Sequence, residues 1–200
     1  MNTQITLASK SQTRSRLLTN AKIKFKTVDH GVDEDEIKLS MSESSPEEIV
    51  TKLAEMKALK ASISNDGLVI GSDQGLDLNG KLVNKAKNFD EAHEQLKSMS
   101  GKEHTLITTT VVAKENNIIW KYVDRGKMKM RILSEEVIKE YLESVDEKIL
   151  ELVGVYAIEE EGIKKSKEII KKSNLSLLVQ DATAVQEFDE GLGDSLTVLN

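Results

Sequence analysis

Apolar positions along this chain recur at two spacings, and each change of spacing marks an element. Ile5 to Ala8 is a short apolar run followed by the polar stretch Ser9-Lys10-Ser11-Gln12, which predicts a strand leading into a helix. That helix is expected from about Gln12 to Ala21, with Leu17, Leu18 and Ala21 inward and Arg14 and Arg16 outward. Ser9 and Ser11 are both suited to cap it. Ile23 to Val28 predicts a second strand, and Val32-Asp33-Glu34-Asp35-Glu36 an acidic loop. Ser45-Pro46-Glu47-Glu48 combines a capping hydroxyl, a first-turn proline and early acids, so a helix starts there. Ile49, Val50, Leu53, Met56 and Leu59 then repeat at helical spacing.

Leu68-Val69-Ile70-Gly71-Ser72-Asp73 predicts a buried strand ending on a carboxylate. Leu76 to Leu82 alternates around Asn79-Gly80, a two-residue hairpin signal. Asn88 is placed to cap a helix from Phe89 to about Met99, broken by Ser100-Gly101. Thr105 to Ala113 and Ile118 to Val123 predict a second hairpin across Asn116-Asn117, and Lys127 to Leu133 a further strand. Met128 and Met130 alternate with period two, as sheet packing requires. Ser134-Glu135-Glu136 opens a last helix that buries Val137, Ile138, Tyr141 and Leu142. Strands and helices mix without repeats or a linker, so the expected class is α/β, in two lobes without a clean linear boundary.

Composition narrows the function. The 200 residues hold no cysteine, which excludes disulfide frameworks and thiolate metal sites, and only three histidines, which argues against a His-rich centre. No apolar run approaches the roughly 20 residues of a membrane span, and Met1 to Ser15 has no signal-peptide apolar region, so a cytoplasmic protein is expected. The net charge of -6 argues against general nucleic-acid binding. It is uneven, however. Residues 1–30 carry six basic side chains against Asp29 alone, which leaves room for a small polyanion there.

Two constellations could carry chemistry. Ser9, Lys10 and Ser11 before a helix bearing Arg14 offer hydroxyls, cations and free N–H groups to an anion, although an ordinary capped helix has the same composition. Asp73, behind the small Gly71 and Ser72, could hold a metal or orient water, or else cap the turn that follows. Glu34 and Lys85 gain interest only together with Asp73. Lys57, off the Ile49/Leu53/Met56 stripe, reads as surface, and His104 as a strand-edge residue. The run Lys164-Lys165-Ser166-Lys167 reads as a solvated face. No Walker loop, dinucleotide fingerprint, zincin helix or nucleophile elbow is present.

The order of these pieces resembles the Maf family of nucleotide pyrophosphatases. The family's opening Leu-Ala-Ser-x-Ser-Pro-Arg-Arg is similar to Leu7-Ala8-Ser9-Lys10-Ser11-Gln12-Thr13-Arg14, followed by Leu17-Leu18. Asp33-Glu34 matches its Asp-Glu motif, Ala54-Glu55-Met56-Lys57-Ala58 its Ala-x-x-Lys-Ala helix, and Gly71-Ser72-Asp73-Gln74 its Gly-Ala-Asp-Thr. Asn84-Lys85-Ala86 stands for Gly-Lys-Pro, Met99 to His104 for Leu-Ser-Gly-x-x-His, and Leu133 to Leu142 for Leu-Ser-x-Glu-x-Ile-x-x-Tyr-Leu. Gly154-Val155-Tyr156-Ala157-Ile158-Glu159-Glu160 stands for Gly-Ala-Tyr-x-x-Gln-Gly, with Glu159 where an amide is usual.

The resemblance implies a mixed twisted sheet with two lobes around a deep cleft, a homodimer, and Mg²⁺ or Mn²⁺. The implied activity is hydrolysis of nucleoside triphosphates to monophosphate and pyrophosphate, clearing non-standard or excess nucleotides. Carried over by position, Ser9, Arg14, Lys57 and Glu159 would bind substrate, Glu34 and Asp73 would hold metal, and Asp73 and Lys85 would act in catalysis. Residues 1–163 form the Maf-like domain on this reading. Residues 164–200, basic and then acidic, depart from the family, with Leu175 to Val179 expected to pack and the end to lie on the surface. Gln12, Thr13, Ala86 and Glu159 depart from the motifs too, so the alternative is a nucleotide-binding or regulatory relative that has lost turnover. An α/β interaction domain without nucleotide is a third reading.

Overall fold

A computed structural model of the protein describes residues 4–156, so Glu159 and the expectations for the tail lie outside the described residues. The chain divides into two compact units. Among the described residues, one is formed by 4–75 together with Ile107–Arg125, the other by Leu76–Leu106 and 126–156. The mixed α/β class expected from the sequence is present. Among the described residues, no helix is long and apolar enough to cross a membrane.

The first unit opens with β1 (Ile5–Ala8), α1 (Gln12–Asn20), β2 (Lys26–Val28), α2 (Glu34–Ser40) and α3 (Pro46–Ser62). It continues into β3 (Leu68–Leu78) and takes in the adjoining parts of β5 (Glu103–Lys114) and β6 (Asn117–Lys129). The strand order is β2-β1-β3-β5-β6. β1 runs parallel to both neighbours, with Leu7 opposite Thr27 on one side and Ile70 on the other.

Helix α3 starts as predicted, on a capping box. The Glu48 N–H donates to Ser45 Oγ, and Glu48 Oε2 accepts the Ser45 N–H at 2.8 Å. Its buried face differs from the expected stripe. Ile49, Val50, Leu53, Ala54, Lys57, Ala58 and Ala61 are buried, whereas Met56 and Leu59 are only partly so. The cause is the close seat of α3 on β3. A Cβ at Gly71 would lie 2.5 Å from the Ala58 nitrogen and 2.6 Å from the Ala54 carbonyl oxygen. Backbones meet this closely only through small side chains, so alanines rather than the largest apolar residues mark the inward face. Val111 and Ala113 pack with Ala54 and Ala58.

Other elements depart from expectation for local reasons. The acidic stretch is not a loop but the start of α2, because Asp33 caps it by accepting the Glu36 N–H at 3.0 Å and three acids favour the first turn. β2 is shorter than Ile23–Val28. Asp73 does not end its strand, since β3 runs on to Leu78. Nor does Asp73 cap the following turn, where Asp77 Oδ1 accepts the Gly80 N–H at 2.7 Å. The second hairpin turns at Glu115 and Asn116, both at positive φ, one residue earlier than expected. Its return strand is a single β6, continuous through Gly126.

In the second unit, β4 (Lys81–Val83) pairs antiparallel with β3 across Asn79-Gly80, whose positive φ values of 55° and 79° fit a type I′ turn. Asn88 caps α4 (Phe89–Met99) as predicted, accepting the Glu91 N–H at 2.8 Å. Helix α5 (Glu135–Ser144) buries Ile138 and Tyr141, with Val137 and Leu142 partly buried. These side chains join Leu76, Leu96, Met99 and Met130 in one core, and Met128 is buried as well.

His104 is no strand-edge residue. It is 3% exposed, with Nε2 2.5 Å from the Tyr156 hydroxyl oxygen and the two rings edge to face. Burial pushes its imidazole below the ordinary 6.5, against an opposing pull from the Lys102 backbone. Below about pH 6.5 the unfolded chain therefore takes up a proton that the folded chain resists. Stability is expected to be full above that pH and to decline as the pH falls below it. Thermal melts at stepped pH check this: His104→Phe should be less stable at neutral pH yet show a shallower acid decline than the parent. An unchanged slope would assign the decline to other groups.

Candidate active site

The chain leaves β1 into Ser9, which is buried. Its hydroxyl oxygen accepts the Ser11 N–H at 3.1 Å and a hydrogen bond from Arg14 Nη1 at 3.2 Å. Ser11, not Ser9, caps α1, accepting the Arg14 N–H at 3.4 Å. This geometry turns Arg14 inward, contrary to the sequence expectation, while Leu17 and Ala21 are exposed. Burial lowers the Arg14 pKa, and the Asp73 and Glu34 charges raise it in opposition. A guanidinium remains charged in such a setting.

Lys57 is the largest departure. Far from lying on the surface, it is 3% exposed and projects from the buried face of α3. Its ammonium donates to Asp73 Oδ1 at 2.6 Å and lies 2.8 Å from Glu34 Oε1. Both partners are far from it in sequence, so helical periodicity alone could not reveal the burial. Burial raises the Glu34 pKa, but the hydrogen bond and charge of Lys57, helped by Lys38 and His30, outweigh it and hold the carboxyl below its usual range.

His30 was not singled out in the sequence, although its four-residue spacing to Glu34 was a usable signal. Its Nδ1 accepts the Val32 N–H at 3.0 Å, which leaves Nε2 to carry the proton of the neutral ring, and Nε2 is 3.7 Å from Glu34 Oε1. Burial, and then the Lys57 charge, push the imidazole below its ordinary value. The loop before α2 is held further by Lys10 on Asp29 and by Lys60 on the Gly31 carbonyl.

The structure thus brings Ser9, Arg14, Glu34, Lys57 and Asp73 together in one unit. Lys85 belongs to the other unit, exposed between β4 and α4. Among the described residues, no group of three or more acidic or histidine side chains gathers as a metal cage. Glu34 and Asp73 nevertheless aim oxygens at one point, the Lys57 nitrogen. Two hard carboxylates suit Mg²⁺ or Mn²⁺, which take few protein oxygens and complete their shell with water and phosphate. The donor set therefore fits such an ion.

The unit thus sets a buried ammonium between two carboxylates, with the Arg14 guanidinium on Ser9 beside the capped start of α1. The chain belongs to the Maf-like protein family, whose model matches residues 4–175. A nucleoside triphosphate pyrophosphatase of Caulobacter vibrioides is 42% identical over 164 residues, covering 81% of this chain and 82% of that protein. A 7-methyl-GTP pyrophosphatase of Brucella suis is 38% identical over 172 residues, covering 84% and 86%. Among solved structures, a HAM1 protein from Coxiella burnetii is a looser match. It is 13% identical with a TM-score of 0.41, over 86% of this chain and all of that one.

Proposed function

We propose that this protein is a hydrolase of acid anhydrides that converts nucleoside triphosphates to the monophosphate and pyrophosphate. The observation that carries the reading is the convergence of Glu34 and Asp73 on the buried Lys57, in the same unit as Arg14 and Ser9, in a chain whose relatives bear pyrophosphatase names. A binding protein without turnover is not favoured, because the similar proteins are named as pyrophosphatases and Lys57 still joins Glu34 and Asp73 despite the altered motif residues around them.

In this reading water attacks the α-phosphorus. A bond forms from the water oxygen to phosphorus, and the bond to the departing pyrophosphate breaks. Ser9 and Arg14 bind phosphate oxygens from the start of α1. Lys57 offsets negative charge that grows as pyrophosphate departs. Asp73, whose Oδ1 is engaged by Lys57, would take the water proton on its other oxygen. Glu34 and Asp73 would hold the divalent ion, which supplies charge neutralisation and a lowered water pKa when bound. Lys85, as a catalytic cation, and Glu159, as a substrate-binding residue, stay in the reading on the family motifs they match. So do a cytoplasmic location, where nucleotide pools lie, and a homodimer.

The purified chain is expected to release pyrophosphate, not orthophosphate, from at least one member of a triphosphate panel that includes 7-methyl-GTP, and only with a divalent cation present. Coupled assays specific for each product decide this. Orthophosphate as the first product, or full turnover in EDTA, would overturn it.

A further inference from the structure

We infer that Lys57 is an internal counter-ion that keeps the Glu34–Asp73 pair closed to a divalent cation until a triphosphate arrives to take its ammonium group. The inference rests on the triphosphate reading above and adds an order of events to it. Lys57 Nζ occupies the point that both carboxylates face, 2.6 Å from Asp73 Oδ1 and 2.8 Å from Glu34 Oε1. A metal ion drawn to those oxygens must displace the ammonium or sit beside it, and like charges at such distance repel strongly away from water.

The ammonium also has no easy retreat. Lys57 is 3% exposed, and its helix is wedged on β3, with Gly71 against Ala54 and Ala58, so solvent does not receive the displaced charge. Arg14 does not play the same part, because its hydrogen bond goes to Ser9. A triphosphate, bringing several anionic oxygens, offers Lys57 new acceptors and frees the carboxylate pair. Metal and nucleotide then bind with positive coupling, and the metal alone binds weakly.

Mn²⁺ binding followed by electron paramagnetic resonance tests this without turnover. Wild type and Lys57→Met are titrated with Mn²⁺ alone, and again with an α,β-methylene triphosphate, correcting for Mn²⁺ held by the free analogue. Wild type should bind Mn²⁺ at least about tenfold tighter with the analogue than without it. Lys57→Met should bind Mn²⁺ alone at least about tenfold tighter than wild type does, with most of the coupling gone. Lys57→Arg, which keeps the charge, should stay as weak as wild type.

Unchanged or weaker Mn²⁺ affinity in folded Lys57→Met overturns the inference. If that variant does not fold, melts of wild type decide: Mn²⁺ alone should stabilise it little and Mn²⁺ with the analogue clearly. Equal stabilisation in the two conditions overturns the proposal. An absence of pyrophosphate release, by contrast, would strike the functional reading while leaving the result of the metal-only titrations intact.

Discussion

Turnover in Asp73→Asn is expected to fall by about 10²–10⁴-fold, the range for removing a positioned proton acceptor, and further if the same carboxylate also holds the metal. The change keeps the side-chain volume and an oxygen able to accept from Lys57, which now sits 2.6 Å from Asp73 Oδ1. Loss of one member of a buried ion pair is costly when the remaining charge is stranded. Here Glu34 still faces Lys57 at 2.8 Å, so the fold should persist with a lowered melting point. Steady-state pyrophosphate release alongside circular dichroism separates the two effects. A folded variant working at the parent rate would place the chemistry elsewhere in the protein.

Gly71→Ala is expected to damage stability and activity together. The added methyl would meet backbone, the Ala58 nitrogen at 2.5 Å and the Ala54 oxygen at 2.6 Å, and backbone cannot rotate away as a flexible side chain would. Overpacking of this kind costs about 1–3 kcal/mol. Relief requires α3 to lift from β3, and α3 carries Lys57. The Lys57–Asp73 contact should then lengthen, and kcat should fall more than the change in melting temperature accounts for. Denaturant melts and kinetics on the same preparation measure both. Gly80→Ala is a useful contrast, because its Cβ would meet nothing within 4 Å and only its positive φ would be strained.

Elements with strong local signals were legible in the sequence. Ser45 and Asn88 caps, the Asn79-Gly80 turn and the span of α4 all stand where residue chemistry within a few positions decides the conformation. The pairing of α3 with β3 was not legible in the same way. Ala54, Ala58 and Gly71 contribute little to an apolar pattern, yet their small size sets which face of α3 is buried. The site was legible as a set of types and spacings through the family resemblance. Its internal contacts were not: Arg14 turns inward because Ser9 accepts from it, and Lys57 is buried because carboxylates 23 residues before and 16 after it converge on its nitrogen. For His30 the sequence offers only the four-residue spacing to Glu34, and the contact itself depends on the loop held by Lys60 and Lys10.

The discontinuous course of the first unit has a consequence for synthesis. The five side chains of the cluster have all been made once Asp73 is added, but the strands that complete their sheet come only with Ile107–Arg125. At about 5–20 residues per second, a growing chain spends several seconds with Ala54 and Ala58 lacking their partners Val111 and Ala113. Until then the buried charges have water and each other, and α3 has half a platform. A fragment ending at Gly75 is therefore expected to be degraded rather than partly active. Any split-protein version of this hydrolase would need cut points away from the three places where the chain passes between the units.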